Sequence, residues 1–392
     1  MVHMSATQHD PVAFAAALIR CPSVTPVEGG ALFWLEGVLR TAGFQCQRLV
    51  FSQPGTPDVD NLFARIGHGA PHLCFAGHTD VVPTGDASLW THPPFAAEIA
   101  GGMMYGRGAV DMKGNIASFL AAALDFLADP ERLGQGSISL LITGDEEGPS
   151  VNGTVKVLEW MAQHGHTPSH CVVGEPSCPE KLGDTIKIGR RGSLNARLVV
   201  SGKQGHAAYP QKANNPLRGL VRICSALNAL RLDAGTEVFS PSNLEIVAIE
   251  TGNPAYNVIP ARAEARLNVR YNDRHTAKSL EALLRQTSQA ALEGTGLTLE
   301  ATFNGNAEAF VTQPGPWVET MTEAVKAVTG LTPELSTSGG TSDARFVKDY
   351  CPVIEMGLVN TSIHAVDERV PVADLIKLAA IYRAFLDRYF AS

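Results

Sequence analysis

Ser137-Ile-Ser-Leu-Leu-Ile-Thr143 runs directly into Gly144-Asp-Glu-Glu-Gly148, and this stretch decides the fold. A seven-residue run of strand formers stops at three consecutive carboxylates bracketed by glycines. β-rich residues followed by a Gly-bounded turn place Asp145, Glu146 and Glu147 at the carboxyl edge of a sheet. Open α/β sheets keep their ligands at that edge. Three adjacent like charges repel one another, so a cation is wanted there. Alone, such a triplet is commonly a solvated turn, and its meaning depends on the rest of the chain.

Strands and helices alternate on either side of it. Asp10-Pro11 caps a helix carrying Val12, Phe14, Ala15, Leu18 and Ile19, and a second helix is expected over 30–41. Strands are expected at 44–51, 61–66 and 73–76, the last delivering Gly77-His-Thr-Asp80. A short strand at 103–105 leads to Gly106-Arg-Gly-Ala-Val-Asp-Met-Lys-Gly114, with an apolar helix directly after it. A helix at 151–163 and a strand at 171–173 end in Gly174-Glu-Pro176. This order predicts an α/β fold, a mostly parallel mixed sheet with helices on both faces. The pattern changes near 185. Residues 185–201 read as a strand pair, followed by a helix (215–230), strands (244–250, 258–271), a helix (277–292) and a strand (297–303), a compact α+β unit. The alternating pattern then resumes with a helix at 316–329, a strand at 353–356 and a closing helix at 372–389. The expected organisation is a catalytic domain in two parts, 1–184 and 304–392, interrupted by an inserted lid or dimerisation domain at 185–303.

The 392 residues, 45% hydrophobic and 18% charged, suit a soluble chain of two domains. A net charge of -8 without a basic run argues against nucleic acid. The seven cysteines are scattered, with no Cys-x-x-Cys, so neither a disulfide framework nor a thiolate zinc site is indicated. The first ten residues lack the basic-then-apolar layout of a signal peptide, and the apolar run over 116–128 is too short to span a bilayer. A cytoplasmic protein is expected.

His78, Asp111, Glu147, Glu175 and His364 each follow a strand or sit in a Gly-rich loop, and each carries a metal-ligating side chain. Taken singly, a histidine after a strand is commonly just hydrogen-bonded. Together they describe a two-metal site of imidazole and carboxylate ligands suited to zinc. Residues i and i+2 of an extended segment share a face, so Asp80 can accept a hydrogen bond from the non-ligating nitrogen of His78. Asp111, in a tight glycine-flanked loop, is the candidate to bridge two ions. Glu146 and Glu147 are adjacent and cannot easily ligate one ion together; one as ligand and one as base is the natural division. Competing motifs fail: Gly106-Arg-Gly108 lacks the third glycine of a dinucleotide loop, and there is no Gly-x-Ser-x-Gly elbow or His-Glu-x-x-His.

The segments Gly77-His-Thr-Asp-Val-Val-Pro83, Gly106–Gly114, Asp145-Glu-Glu-Gly148 and Gly174-Glu-Pro-Ser177 resemble the aminoacylase/carboxypeptidase family of di-zinc amidohydrolases. Ser23-Val-Thr-Pro26, Gly189-Arg-Arg-Gly-Ser193, Gly202-Lys-Gln-Gly-His-Ala-Ala-Tyr-Pro210, Tyr256-Asn-Val-Ile-Pro260, Ser338-Gly-Gly-Thr-Ser-Asp-Ala-Arg-Phe346 and Asn360-Thr-Ser-Ile-His364 resemble one bacterial branch in particular, which removes the succinyl group from an amino diacid. The departures are small: Val110 where the branch commonly has Ala, and Asn115 after Asp-Met-Lys-Gly.

The resemblance implies two Zn2+ per subunit, with Co2+ able to substitute. Asp111 bridges, His78 and Glu175 complete one ion, and Glu147 and His364 the other. Glu146 is implied as general base, Asp80, behind His78, is counted with it and His206 among the catalytic residues, and the peptide bond after Asp111 is expected to be cis. His206 is expected to reach the partner subunit's site in a homodimer. The implied small-molecule substrate carries three carboxylates, which Arg190 and Arg270 could hold bidentately. Tyr209, Asn257, Gly340, Thr341 and Asn360 look like neutral hydrogen-bonding neighbours. An acetylornithine deacetylase or a dipeptidase of the family would share the metal residues. A catalytically dead relative would lack a ligand or the base, and here all are present.

Overall fold

A strand run without a charged residue can be buried on both faces, and Ser137–Thr143 is: all seven residues are inaccessible to solvent, as are all seven of the neighbouring strand His72–His78. The computed structural model describes residues 9–391; the N-terminal reading therefore falls largely on residues outside the described ones. Two compact units are present. One comprises the chain up to Ile188 with Thr312–Ser336 and Ser342 onward, the other Gly189–Val311 with Thr337–Thr341.

The first unit is built on an eight-stranded sheet. Its strand order is Gln45–Phe51, Val59–Gly67, Ser137–Thr143, His72–His78, His170–Val173, Val353–Glu355, Thr185–Lys187 and Glu334–Ser336. The first two pairings are antiparallel and the next three parallel; Thr185–Lys187 then pairs antiparallel with Val353–Glu355 and parallel with Glu334–Ser336. One face is covered by Lys113–Leu127 and Val372–Ala391, with Phe75 stacked on Phe119 at 4.1 Å and edge-on to Tyr382 at 5.9 Å. The other face meets Thr154–Gln163, where Phe63 packs on Trp160 at 5.4 Å. Helices over both faces leave only the sheet's edges for chemistry, and the three central parallel strands end together at one of them. Thr185–Ser201, expected as one strand pair, is divided: Thr185–Lys187 joins this large sheet, because its three residues are buried among its strands, and only Gly189–Arg190 and Gly192–Ser201 lie in the second unit.

The second unit carries a four-stranded antiparallel sheet in the order Asn243–Glu250, Arg262–Tyr271, Gly192–Ser201 and Thr298–Ala307. Ala263, Ala265, Leu267, Val269 and Tyr271 alternate along one strand and are buried with Leu194, Ala196, Leu198 and Val200 of its neighbour. Pro216–Asn228 and Ala277–Ala291 close that face with Leu220, Ile223, Leu280 and Leu284. Asn215 and Thr276 cap these helices, accepting from the Leu217 and Ser279 amides. Among the described residues no helix is long and apolar enough to cross a membrane.

Candidate active site

Parallel strands in register deliver their last residues to the same level. His78 ends one strand and pairs with Thr143, the end of the next; Glu175 stands two residues beyond the third, His170–Val173. The acidic turn therefore lies beside His78 as a consequence of the ladder. Asp111 comes from the loop immediately before Lys113–Leu127, with a cis peptide bond to Met112, and His364 from the loop after Val353–Glu355, with a φ of 58°.

These residues meet. Asp111 Oδ1 lies 3.2 Å from His78 Nε2, and Asp111 Oδ2 lies 3.3 Å from His364 Nε2. Glu175 Oε1 is 3.6 Å from His78 Nε2, and Glu147 Oε1 is 2.8 Å from His364 Nε2. One carboxylate thus turns an oxygen toward each of two imidazoles, each imidazole with a further carboxylate of its own. Atoms of His78, Glu146 and Glu175, and likewise of His78, Asp111 and Glu147, all fall within 4.8 Å of one another, so each trio could hold a metal ion.

Asp80 is placed differently from the expectation. The nearest partner of His78 Nδ1 is the Asp80 carbonyl oxygen at 2.9 Å, while the carboxylate stands at 3.6 Å. The Thr79 amide donates to the Thr143 carbonyl, carrying the ladder one residue past His78. The Asp80 carboxylate instead accepts the amides of Glu146 at 3.3 Å and Glu147 at 3.0 Å. It anchors the acidic turn while standing beside the histidine. Asp145 is the other anchor: its Oδ2 accepts the amides of Val151 and Asn152, tying the turn to the approach of helix Thr154–Gln163.

The electrostatics show a demand for positive charge. Burial and neighbouring Glu175 push the Glu146 carboxyl well above its ordinary range. Burial, with Asp111 nearby, lifts Glu175 to about 7, and burial lifts Asp80 to about 6. Hydrogen bonds to Asp111 and Glu147 raise His364 to about 10. Burial alone would lower His78, but its bonds to Asp111 and Glu175 overcome this and raise it well above the usual value. Burial would likewise raise Asp111, yet His364 and His78 hold it well below the carboxylate range. Carboxyls crowd the two imidazoles, and protons are drawn onto whatever will take them. Divalent cations satisfy the same demand, and oxygen and imidazole donors in this number fit them.

The second unit gathers a different set. Arg190, buried, donates through Nη1 to the Ser338 carbonyl at 3.2 Å, and Gly339 (φ 104°) presses on the guanidinium, 2.5 Å from where a Cβ would stand. Gly340 and Thr341 continue this loop. Arg270 donates to Asn268 Oδ1, and burial together with Arg191 lowers its pKa. His206 pairs with Val258, its ring 5.6 Å from that of Tyr209, and the Asn257 carbonyl accepts the Ala207 amide. Asn360 belongs to the first unit, its amide bonded to the Cys178 carbonyl.

Sequence reasoning passed over Glu355. This buried residue closes the strand Val353–Glu355 and accepts from Ser342 Oγ. A carboxylate ending a buried strand was the available signal, the one that singled out the acidic turn.

A model of the family described as Peptidase family M20/M25/M40 matches residues 74–388. A succinyl-diaminopimelate desuccinylase of Rhodopseudomonas palustris (strain BisB18) is 56% identical over 395 residues, covering 99% of this chain and 100% of that one. Another, of Methylorubrum extorquens, is 56% identical over 385 residues, covering 98% and 100%. Among solved structures, a metallo-carboxypeptidase of the M20 family from Sulfolobus solfataricus superposes with a TM-score of 0.79 at 21% identity, covering 98% of this chain and 100% of that one. A Bacillus subtilis protein described as a dinuclear metal binding peptidase gives 0.71 at 18% identity, covering 96% of each chain.

Proposed function

The chain belongs to peptidase family M20/M25/M40, and we propose that it is a metal-dependent amide hydrolase cleaving N-succinyl-LL-2,6-diaminopimelate into succinate and LL-2,6-diaminopimelate, a step of diaminopimelate and lysine biosynthesis. Identity of 55–56% to desuccinylases over nearly the full length supports the substrate. The observation that carries the chemistry is Asp111, whose two oxygens face two imidazoles from segments far apart in the chain.

In this reading His78, Asp111 and Glu175 hold one ion and Asp111, Glu147 and His364 the other, two Zn2+ per subunit with Co2+ able to substitute. When bound, the ions supply Lewis acidity that polarises the scissile carbonyl and makes water more acidic. Glu146 takes the proton from the attacking water and returns it to the leaving amine. Asp80 keeps Glu146 and Glu147 apart in their roles by gripping both amides. Arg190 and Arg270 hold substrate carboxylates, with Tyr209, Asn257, Gly340, Thr341 and Asn360 completing the polar lining. The unit Gly189–Val311 acts as lid and dimerisation domain, and in the homodimer His206 of the partner subunit donates to the oxyanion of the tetrahedral intermediate. The enzyme works in the cytoplasm on a dissolved substrate.

Turnover of N-succinyl-LL-2,6-diaminopimelate and of N-acetylornithine, measured side by side with metal content, tests this. We expect two metal ions per chain and kcat/KM at least about a hundredfold higher for the succinyl substrate. Equal or reversed preference overturns the substrate assignment.

A further inference from the structure

Asp111 and His364 have to stand a fixed distance apart, yet they arrive on two loops more than 250 positions apart in the chain. For the other pair of ligands the ladder does this: His78 and Glu175 leave adjacent, hydrogen-bonded parallel strands. The Asp111 and His364 loops are joined at their far ends, where Met103–Tyr105 pairs with Arg369–Pro371, and that ladder stops short of both ligands. Glu368 carries the connection onward.

Glu368 is wholly buried. Its Oε1 accepts the amides of Val110 at 2.9 Å and Asp111 at 3.1 Å; its Oε2 accepts the amide of Gly108 at 3.0 Å and Arg107 Nη1 at 2.9 Å. Its own carbonyl accepts the Gly106 amide at 2.8 Å. One residue thereby takes up the amide donors along the loop that presents Asp111, using the charge-assisted bonds that are strongest out of water. The segment bearing Glu368 also bears His364, and it is closed on itself: Ser362 Oγ donates to the Arg369 carbonyl at 2.9 Å and accepts the Arg369 amide at 3.2 Å. Asp367 pins its outer side to Thr91, through the amide and the hydroxyl, each at 2.8 Å. Arg107 balances the carboxylate charge, donates to the Ala365 carbonyl at 3.1 Å and lies over the Trp90 ring.

We propose that Glu368 is a positioning residue of the metal centre, fixing Asp111 relative to His364 by clamping the peptide amides of one loop to the strap that carries the other ligand. The inference rests on the dinuclear reading above. It makes an asymmetric claim. The ion held by Asp111, Glu147 and His364 has two ligands, Asp111 and His364, on the clamped segments, whereas the ion held by His78, Asp111 and Glu175 shares only Asp111 and has its other two ligands on the sheet, so it depends on Glu368 less.

The test follows zinc release from the zinc-loaded full-length enzyme to a chromogenic chelator. Wild type is expected to hold two zinc ions and lose them in two phases. In Glu368→Gln one phase is expected to accelerate about 10- to 100-fold, the range for residues that orient metal ligands, and the other, which shares only Asp111, by a markedly smaller factor. A merely structural role would lower Tm and leave both phases unchanged or speed both equally, and either result overturns the proposal. Should Glu368→Gln not accumulate as folded protein, Glu368→Asp keeps the charge opposite Arg107 but draws the carboxylate back by one methylene. The same phase should then accelerate the more, and two unaltered or equally altered phases would again refute the clamp. A wild-type enzyme that holds no stoichiometric zinc sinks the dinuclear reading itself, a failure distinct from that of a wild type with two ions whose release ignores Glu368.

Discussion

The two sheets of this protein solve burial in opposite ways. In the eight-stranded sheet, Ser137–Thr143 and His72–His78 are covered on both faces, so neighbouring residues along a strand are equally deep. In the four-stranded sheet, Arg262–Tyr271 alternates between buried Ala263, Ala265, Leu267 and Val269 and more accessible Arg262, Glu264, Arg266 and Asn268. A sheet with two covered faces has no open surface on which to place charge, so its polar residues concentrate at the strand ends, where His78, the acidic turn and Glu175 stand. A sheet with one open face can carry charge along its whole length, and there, apart from Arg270 at the strand's end, the charges bring solubility rather than chemistry.

The largest effect that could break this contrast lies at the strand ends. Glu146→Gln is expected to lower kcat about 10²- to 10⁴-fold, the share of a general base, while zinc content is kept and Tm does not fall. A drop in Tm like that of a core truncation would mean that the edge holds the sheet together instead of working on substrate. The next effect concerns depth. Leu140→Ala and Leu141→Ala, adjacent and on opposite faces, are each expected to cost about 2–5 kcal/mol. In the other sheet Leu267→Ala should cost as much and Arg266→Ala under about 1 kcal/mol. Denaturant titration of the four variants reads this directly, and a cheap Leu141→Ala would show that one face of the large sheet is less committed than its burial indicates.

The same contrast explains what could be read from the sequence. Alternation is self-announcing, and the strand and helix order of the second unit was legible for that reason. A fully apolar run signals a doubly covered strand but not its neighbours, so the order that sets Val353–Glu355 next to His170–Val173 came only with the structure. Thr185–Lys187 was too short to declare its sheet. Motif spacing pointed to His78, Asp111, the acidic turn, Glu175 and His364, all of which the structure brings together. Spacing said nothing of Glu368: its partners are peptide amides, which nearly every residue has, and a side chain that binds backbone leaves no signature in its partners' identities. Asp80 was picked out by position, yet its grip on the amides of Glu146 and Glu147 was hidden for the same reason.

A titratable group inside the doubly covered sheet offers a smaller, pH-dependent test. His72 is buried, with Nε2 2.7 Å from Ser139 Oγ, and burial, aided by the charge of Arg65, lowers its pKa to about 4. An unfolded histidine takes its proton near about 6.5. Between these values the unfolded chain binds more protons than the folded one, so stability rises with pH. The His72 contribution is complete above about pH 6.5 and lost as the pH falls through 4, a span of up to about 3 kcal/mol. His72→Gln should flatten the dependence of unfolding free energy on pH across that window. An unchanged slope would mean that the buried sheet admits the proton freely.

The smallest effect belongs to the open face. Arg197 Nε and Nη2 each lie 2.7 Å from a Glu264 oxygen, a two-pronged pair reaching across neighbouring strands, which holds the Glu264 carboxyl below its usual value. The geometry is good, but water competes for both charges and salt screens them. Arg197→Ala, Glu264→Ala and the double variant should each shift Tm by less than about 2 °C, and the coupling between them should fade as salt is raised. A coupling that survives high salt would indicate a face shielded from solvent in the working enzyme. Arg197 and Glu264 would then stand with the covered residues of the large sheet, and the division between the two sheets would hold only for the isolated chain.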